Sequence, residues 1–142
     1  MIYKKGLVFG VFDIFHIGHL KYIQFASKRC DHLYVGIRGD DLITPGKNRK
    51  TYFSQDIRLE IVSSLKHVQN AFIFHVALED KKYWVSWMKD NDIDVVFVGI
   101  DWRGSSRWES LEPLLSDVNI KICYVNRTEG ISSSGILNAA NN

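Results

Sequence analysis

A chain of 142 residues, 46% of them hydrophobic, has the size of one domain and can enclose a single sizeable core. Its 18 Lys and Arg against 16 Asp and Glu leave a formal charge of +2, which argues against bulk attraction to nucleic acid or membrane and requires any anion site to be local. Cys30 and Cys123 form no metal or redox spacing, and the apolar start is broken by Asp13 and His16, so residues 1–142 read as one cytoplasmic domain with neither signal peptide nor membrane span.

In chain order, Ile2 to Phe12 reads as a buried strand, broken by Gly6 and Gly10 and ending at a turn. From His19 a helical period carries Leu20, Ile23 and Ala26, flanked by Tyr22 and Phe25, and runs out near Cys30. His32 to Ile37 is a second strand. Gly39 to Thr51 loses periodicity and gains Pro45, Gly46 and the basic cluster Lys47, Arg49 and Lys50, as a surface loop does. Ser54 then caps a helix with Ile57, Ile61, Val62 and Leu65 inward, ending near His67. Ala71 to Val76 is a third strand, Tyr83 to Asn91 a helix, Asp94 to Ile100 a fourth strand and Asn119 to Val125 a fifth. A last helix begins around Gly135, and Asn138 to Asn142 reads as a frayed tail.

Nearly continuous apolar strands alternating with helices predict an α/β fold, a doubly wound parallel sheet covered on both faces. Ligands in such sheets bind beyond the carboxyl ends of the strands. The segments to search are therefore Gly10 to His19, Gly36 to Lys50, Gly99 to Gly104 and Arg127 to Ser134.

The first of these sets His16 and His19 three residues apart on one helix face, with Gly18 between them. Free amides and the positive dipole end at a helix N-terminus favour an anion, Gly18 lets a phosphate approach the backbone, and both imidazoles can donate to a phosphoryl group. An arbitrary His-x-x-His more often pairs a core histidine with a surface one. Zinc would need further ligands, and no third His or Cys stands at metal-like spacing nearby. After the fifth strand, the serines before the last helix offer hydroxyls and amides to a polyphosphate or simply cap that helix, and Arg127 adds a planar fork for phosphate oxygens.

Together the two segments resemble the H-x-G-H and R-T-x-G-I-S-[ST]-[ST] signatures of the cytidylyltransferases in the H-x-G-H nucleotidyltransferase superfamily. The resemblance is nearest to the glycerol-3-phosphate cytidylyltransferase group. It extends over nearly the whole chain, including Tyr52-Phe53-Ser54 and Gly99-Ile100-Asp101-Trp102. It implies a Rossmann-like five-stranded parallel sheet, a homodimer, Mg²⁺ or another divalent cation, and transfer of CMP from CTP to a phosphorylated small acceptor. Such an activity supplies CDP-activated units to cell-surface polymers.

The resemblance further implies that His16 and His19 bind the α-phosphate, that Arg127, Ser132 and Ser133 hold the β- and γ-phosphates, and that Lys47 reaches over them. Gly10, Phe12, Asp13, Gly18, Gly99, Asp101, Thr128 and Ile131 complete the nucleotide-binding set, while Arg58, Lys66 and Trp102 serve the acceptor. Asp13 orients a histidine, helps place Mg²⁺, or merely caps the helix. Ile100 stands where the family has Asp, Lys66 where it has Arg, and the stretch between Trp102 and Arg127 is longer than in close members. Tyr83, Trp84 and Trp87 fall at helical spacing, as core aromatics do, unless they line the acceptor pocket. His32, His67 and His75 read as structural. The competing readings are an adenylyltransferase of the same superfamily and a non-catalytic nucleotide sensor or RNA-docking domain.

Overall fold

The computed structural model describes residues 2–43, 51–128 and 130–141. The elements are β1 (Tyr3–Gly10), α1 (Ile17–Ser27), β2 (Cys30–Arg38), α2 (Gln55–Ser63), β3 (Asn70–Phe74), α3 (Lys81–Asp90), β4 (Val95–Gly99), α4 (Ser106–Asp117), β5 (Lys121–Val125) and α5 (Ser133–Asn141), with short 3-10 turns at Asp40–Leu42 and Ile100–Trp102.

All strand pairs are parallel, in the order β3-β2-β1-β4-β5. The chain builds outward from β1 in one direction and then, from β4, in the other. That reversal sends α1 and α2 to one face, where Ile23, Ala26 and Val62 are buried. It sends α3 and α4 to the other, where Trp84, Met88, Trp108, Leu111 and Leu115 are buried. A strand covered on both faces needs apolar side chains at every position, which is why β4 carries Val95, Val96, Phe97 and Val98 in succession. The crevice between the ends of β1 and β4 is the topological switch point, the place such sheets leave open for a ligand. The α1 helix is pinned beside it by the Tyr22 hydroxyl, which donates to the Phe97 carbonyl.

Four elements depart from the sequence reading. The first strand stops at Gly10, because Phe12 and Ile14 both adopt left-handed backbone, at φ 55 and φ 46. On α2 the inward positions are Arg58 and Val62, while Ile57 is 44% exposed. The α4 helix was not anticipated at all. Ser105 caps it and Trp108, Leu111 and Leu115 form its apolar stripe, but Pro113 inside it gives the sequence the look of a break. Residues 138–141 are helical rather than frayed, since α5 starts from a cap in which Ser132 Oγ accepts the Gly135 amide at 2.9 Å.

Of the α3 aromatics Trp84 follows the core reading, Trp87 is half-buried against Phe72, and Tyr83 is exposed. Trp84 is 1% exposed, packs edge-on against Phe9 and Phe74, and donates its indole N–H to the carbonyls of Val76 and Ala77. Among the described residues no helix is long and apolar enough to cross a membrane.

Candidate active site

The turn after β1 is held in a costly conformation. Left-handed backbone at a phenylalanine and a β-branched isoleucine costs on the order of 1–3 kcal/mol each and persists only where surrounding contacts over-determine it. Asp13, between them and 6% exposed, supplies those contacts. Its Oδ1 accepts the amides of Ile14 at 3.1 Å and Phe53 at 3.0 Å, and its Oδ2 accepts the Tyr52 amide at 2.7 Å. Its own carbonyl accepts the Ser133 hydroxyl at 2.6 Å. One residue thereby ties the end of β1 to residues 52–53 and to the start of α5. A carboxylate so engaged has little acceptor capacity left for a metal ion. Among the described residues there is also no group of three His, Cys, Asp or Glu able to hold a metal.

The strained turn delivers His16 to the N-cap of α1, whose first residue, Ile17, lies two before the start the sequence suggests at His19. His16 Nδ1 accepts the Gly18 amide at 3.0 Å, and His19 Nδ1 accepts the His16 amide at 3.2 Å. The two rings stack with centroids 3.8 Å apart. Because both Nδ1 atoms accept, each neutral ring carries its proton on Nε2, and those edges are the donors left for a ligand. Burial, then the neighbouring His16, push the His19 pKa down to about 4 against an opposing pull from Asp13. Phe12 and Phe15, with ring centroids 5.4 and 5.3 Å from His19, supply the apolar surroundings. Burial also lowers His16. Gly18 is required by this packing: a Cβ there would sit 2.9 Å from His16 Cε1 and 3.3 Å from Ile131 Cγ2.

A cleft of about 370 Å³ separates the histidines from the ends of β4 and β5. His16, Gly18 and His19 form one wall, Gly99, Asp101 and Trp102 a second, and Arg127, Thr128, Ile131, Ser132 and Ser133 the third. Arg127 and Asp101 face each other at 3.7 Å, both side chains more than 60% exposed, so the guanidinium is only weakly committed. Gly10, Phe12, Asp13 and His19 line an adjoining hollow of about 300 Å³.

Two expected acceptor residues are not part of this constellation. Arg58 is completely buried and donates to the carbonyls of Phe53 at 3.1 Å, Val11 at 2.9 Å and Arg38 at 2.8 Å, and to Asp40 Oδ1 at 2.5 Å. It fastens the loops around the site and presents no surface to a ligand. Lys66 follows α2 and precedes β3, so it lies at the amino end of the parallel sheet, opposite the cleft. Lys47 lies outside the described residues. His32, His67 and His75 stand away from the cleft, His75 paired with Asp41 at 2.8 Å. Sequence reasoning missed the cleft-lining role of Tyr22, which sits one helical turn beyond His19 and so shares its face.

An α/β domain with paired neutral imidazoles at a helix N-terminus and an arginine and serines across a cleft offers hydrogen-bond donors and positive charge at the switch point of its sheet. Comparison with known proteins agrees: the chain belongs to the cytidylyltransferase-like family of nucleotidyltransferase enzymes, which matches residues 7–139. It is 33% identical over 133 residues to the glycerol-3-phosphate cytidylyltransferase of Bacillus subtilis (strain 168), covering 94% of each chain. It is 42% identical over 67 residues to the FAD synthase of Thermoplasma acidophilum, covering 46% of each. The crystal structure of the lipopolysaccharide core biosynthesis protein from Thermoplasma volcanium superposes with a TM-score of 0.67 at 26% identity, covering 88% of this chain and 96% of that one.

Proposed function

We propose that the protein transfers CMP from CTP to a phosphorylated small acceptor, releasing pyrophosphate. The observation that carries this reading is the convergence of the His16 and His19 Nε2 edges with Arg127, Ser132 and Ser133 on one cleft. The resemblance to glycerol-3-phosphate cytidylyltransferase over 94% of the chain supports the choice of base and acceptor class.

In this reaction an oxygen of the acceptor phosphate forms a bond to the α-phosphorus as the bond to the bridging oxygen breaks, and the electron pair leaves with pyrophosphate. No protein nucleophile or general base is required. The protein's task is to hold two anions that repel each other by about 4 kcal/mol per unit-charge pair at 4 Å and an effective dielectric near 20, and to stabilise charge growing in flight. His16 and His19 donate from Nε2 to the α-phosphoryl oxygens, and Arg127 with the Ser132 hydroxyl and the backbone amides at the start of α5 holds the departing end. Neutral imidazoles suit this: they donate without needing a proton from solvent. A divalent cation would enter as the counter-ion of the triphosphate, supplying positive charge to its oxygens; among the described residues no group of three His, Cys, Asp or Glu would hold it without the nucleotide.

The test is pyrophosphate release with Mg²⁺, crossing CTP, ATP, GTP and UTP against phosphorylated polyols, amino alcohols and amino-acid derivatives. Turnover with CTP and one acceptor class is expected. The similarity to an FAD synthase favours a second reading, adenylyl transfer, because FAD contains an adenylyl group. Equal or better turnover with ATP would select that reading. Association into a homodimer is a further part of the proposal, checked by sedimentation equilibrium.

A further inference from the structure

Beside the nucleotide cleft lies a second hollow of about 280 Å³, which meets the cleft at Tyr22, Gly99 and Trp102. Its walls are mostly apolar, among them Phe9, Phe74 and Trp108, yet two guanidiniums line it and, among the described residues, no carboxylate does. Arg38 enters from the end of β2 and Arg107 from the first turn of α4.

Neither arginine is fully used. Arg38 commits its Nε to the Leu42 carbonyl at 3.2 Å. Arg107 stands 4.9 Å from the Trp102 ring centre and gives Nη2 to Glu79 at 3.0 Å. Its Nε is buried and has no hydrogen-bond partner among the described residues. A buried donor left unpaired costs about 1–3 kcal/mol. Burial, and after it the charge of Arg107, also hold the Arg38 guanidinium below its ordinary pKa. Glu79 and Asp41, which also act on Arg38, are 57% and 54% exposed and lie outside the hollow, so they neutralise the pair only from the rim. Two like charges on an apolar wall, with an orphaned N–H, are what a bound oxyanion relieves, and a guanidinium fork matches a planar carboxylate.

We propose that this hollow receives the far end of the acceptor, and that the acceptor carries a carboxylate remote from its reacting phosphate, gripped by Arg107 with Arg38. The inference rests on the cytidylyltransferase reading for its reacting phosphate, and deepens it by naming the acceptor class. Trp102, shared by cleft and hollow, is then the divider between nucleotide and acceptor.

The test uses acceptor pairs that differ in the carboxylate alone: 3-phosphoglycerate against glycerol 3-phosphate, and O-phosphoserine against O-phosphoethanolamine. Binding of each to the intact protein is measured by calorimetry with a non-reacting methylene analogue of CTP present, and CTP binding is measured separately. The carboxylate member of at least one pair is expected to bind about tenfold or more tightly than its partner, the worth of one charge-assisted hydrogen bond. Arg107→Gln should abolish that advantage and leave the partner and CTP within about twofold, while Arg107→Lys, which keeps the charge without the fork, restores only part of it. Arg38→Gln gives the same readout if Arg107→Gln proves unfolded by circular dichroism. Equal affinity within both pairs, no binding of either carboxylate, or equal loss for both members in the variants would each overturn the proposal. Failure of the cytidylyltransferase reading looks different: CTP does not bind, while the Arg107-dependent carboxylate preference persists.

Discussion

His19 Nδ1 accepts the backbone N–H of His16 at 3.2 Å while the two imidazoles stack, so the His16 backbone fixes the tautomer of His19, the Gly18 amide fixes that of His16, and the stack holds both ring planes. Losing either side chain removes a donor and also the ring its neighbour stacks on. His16→Ala and His19→Ala should each lower turnover by about 10²–10³, with acceptor KM changed far less than kcat. Near-normal turnover in either variant would falsify its assigned role. Because both rings are already neutral near pH 7, kcat/KM should stay flat from about pH 7 to 8.5; a continuous fall across that range would show that imidazolium is the active form.

The buried state of His19 also makes a stability prediction. Its folded pKa of about 4 lies below the ordinary 6.5, so above pH 6.5 neither folded nor unfolded chain binds a proton there. As the pH falls from 6.5 to about 4, the unfolded chain gains a proton the folded one refuses, and stability drops by up to about 3 kcal/mol before levelling. His19→Asn can still accept the His16 amide but cannot titrate. Urea unfolding at pH 7.5 and 4.5 should show a smaller acid loss for that variant than for the parent protein.

Gly18→Ala separates chemistry from folding. The added methyl would stand 2.9 Å from His16 Cε1 and 3.0 Å from its Nδ1, displacing the ring. Alanine also has the better helix propensity, which offsets the disturbed cap, so stability should change by less than about 1 kcal/mol while turnover falls about tenfold or more. A thermal melt run beside the activity assay checks both halves.

Asp13 acts through backbone, and the variant Asp13→Asn tests this. An amide cannot accept from Ile14, Phe53 and Tyr52 together, because its NH₂ would face one of the three N–H donors. The expected loss is about 1.5–3 kcal/mol of stability with reduced turnover, and no change in the Mg²⁺ concentration giving half-maximal rate. A several-fold rise in that concentration would make Asp13 a metal ligand after all.

Arg58→Met should destabilise the protein by about 3–5 kcal/mol, since it leaves the carbonyls of Val11, Phe53 and Arg38 and the Asp40 carboxylate without their buried donor. Lys66→Ala, at the far end of the sheet, should leave acceptor KM within about twofold. Urea midpoints and acceptor KM values, measured for both variants, distinguish a fastening arginine from a substrate-binding one.

The alternation of apolar strands and amphipathic helices determined the parallel sheet, because a strand buried on both faces leaves no polar position to misread, as in Val95 to Val98. The spacing of His16, Gly18 and His19 likewise set both imidazoles at a helix start in the sequence itself, since these are local relations within one turn. Other assignments depended on contacts from far along the chain. Asp13 looks like a candidate ligand until residues 52–53 bring their amides to it, and Arg58 looks like a surface cation until the ends of β1 and β2 close over it. The α4 helix hides behind Pro113, which it tolerates at an exposed position beside a well-buried stripe. Arg38 and Arg107 are 69 positions apart (107 minus 38) and neither belongs to a motif; only the parallel sheet, by lifting the end of β2 and the start of α4 to the same rim, sets both charges against one apolar wall. Burial and charge proximity are properties of the assembled chain, and so the tertiary structure alone decided which of these polar groups hold the fold and which remain for a ligand.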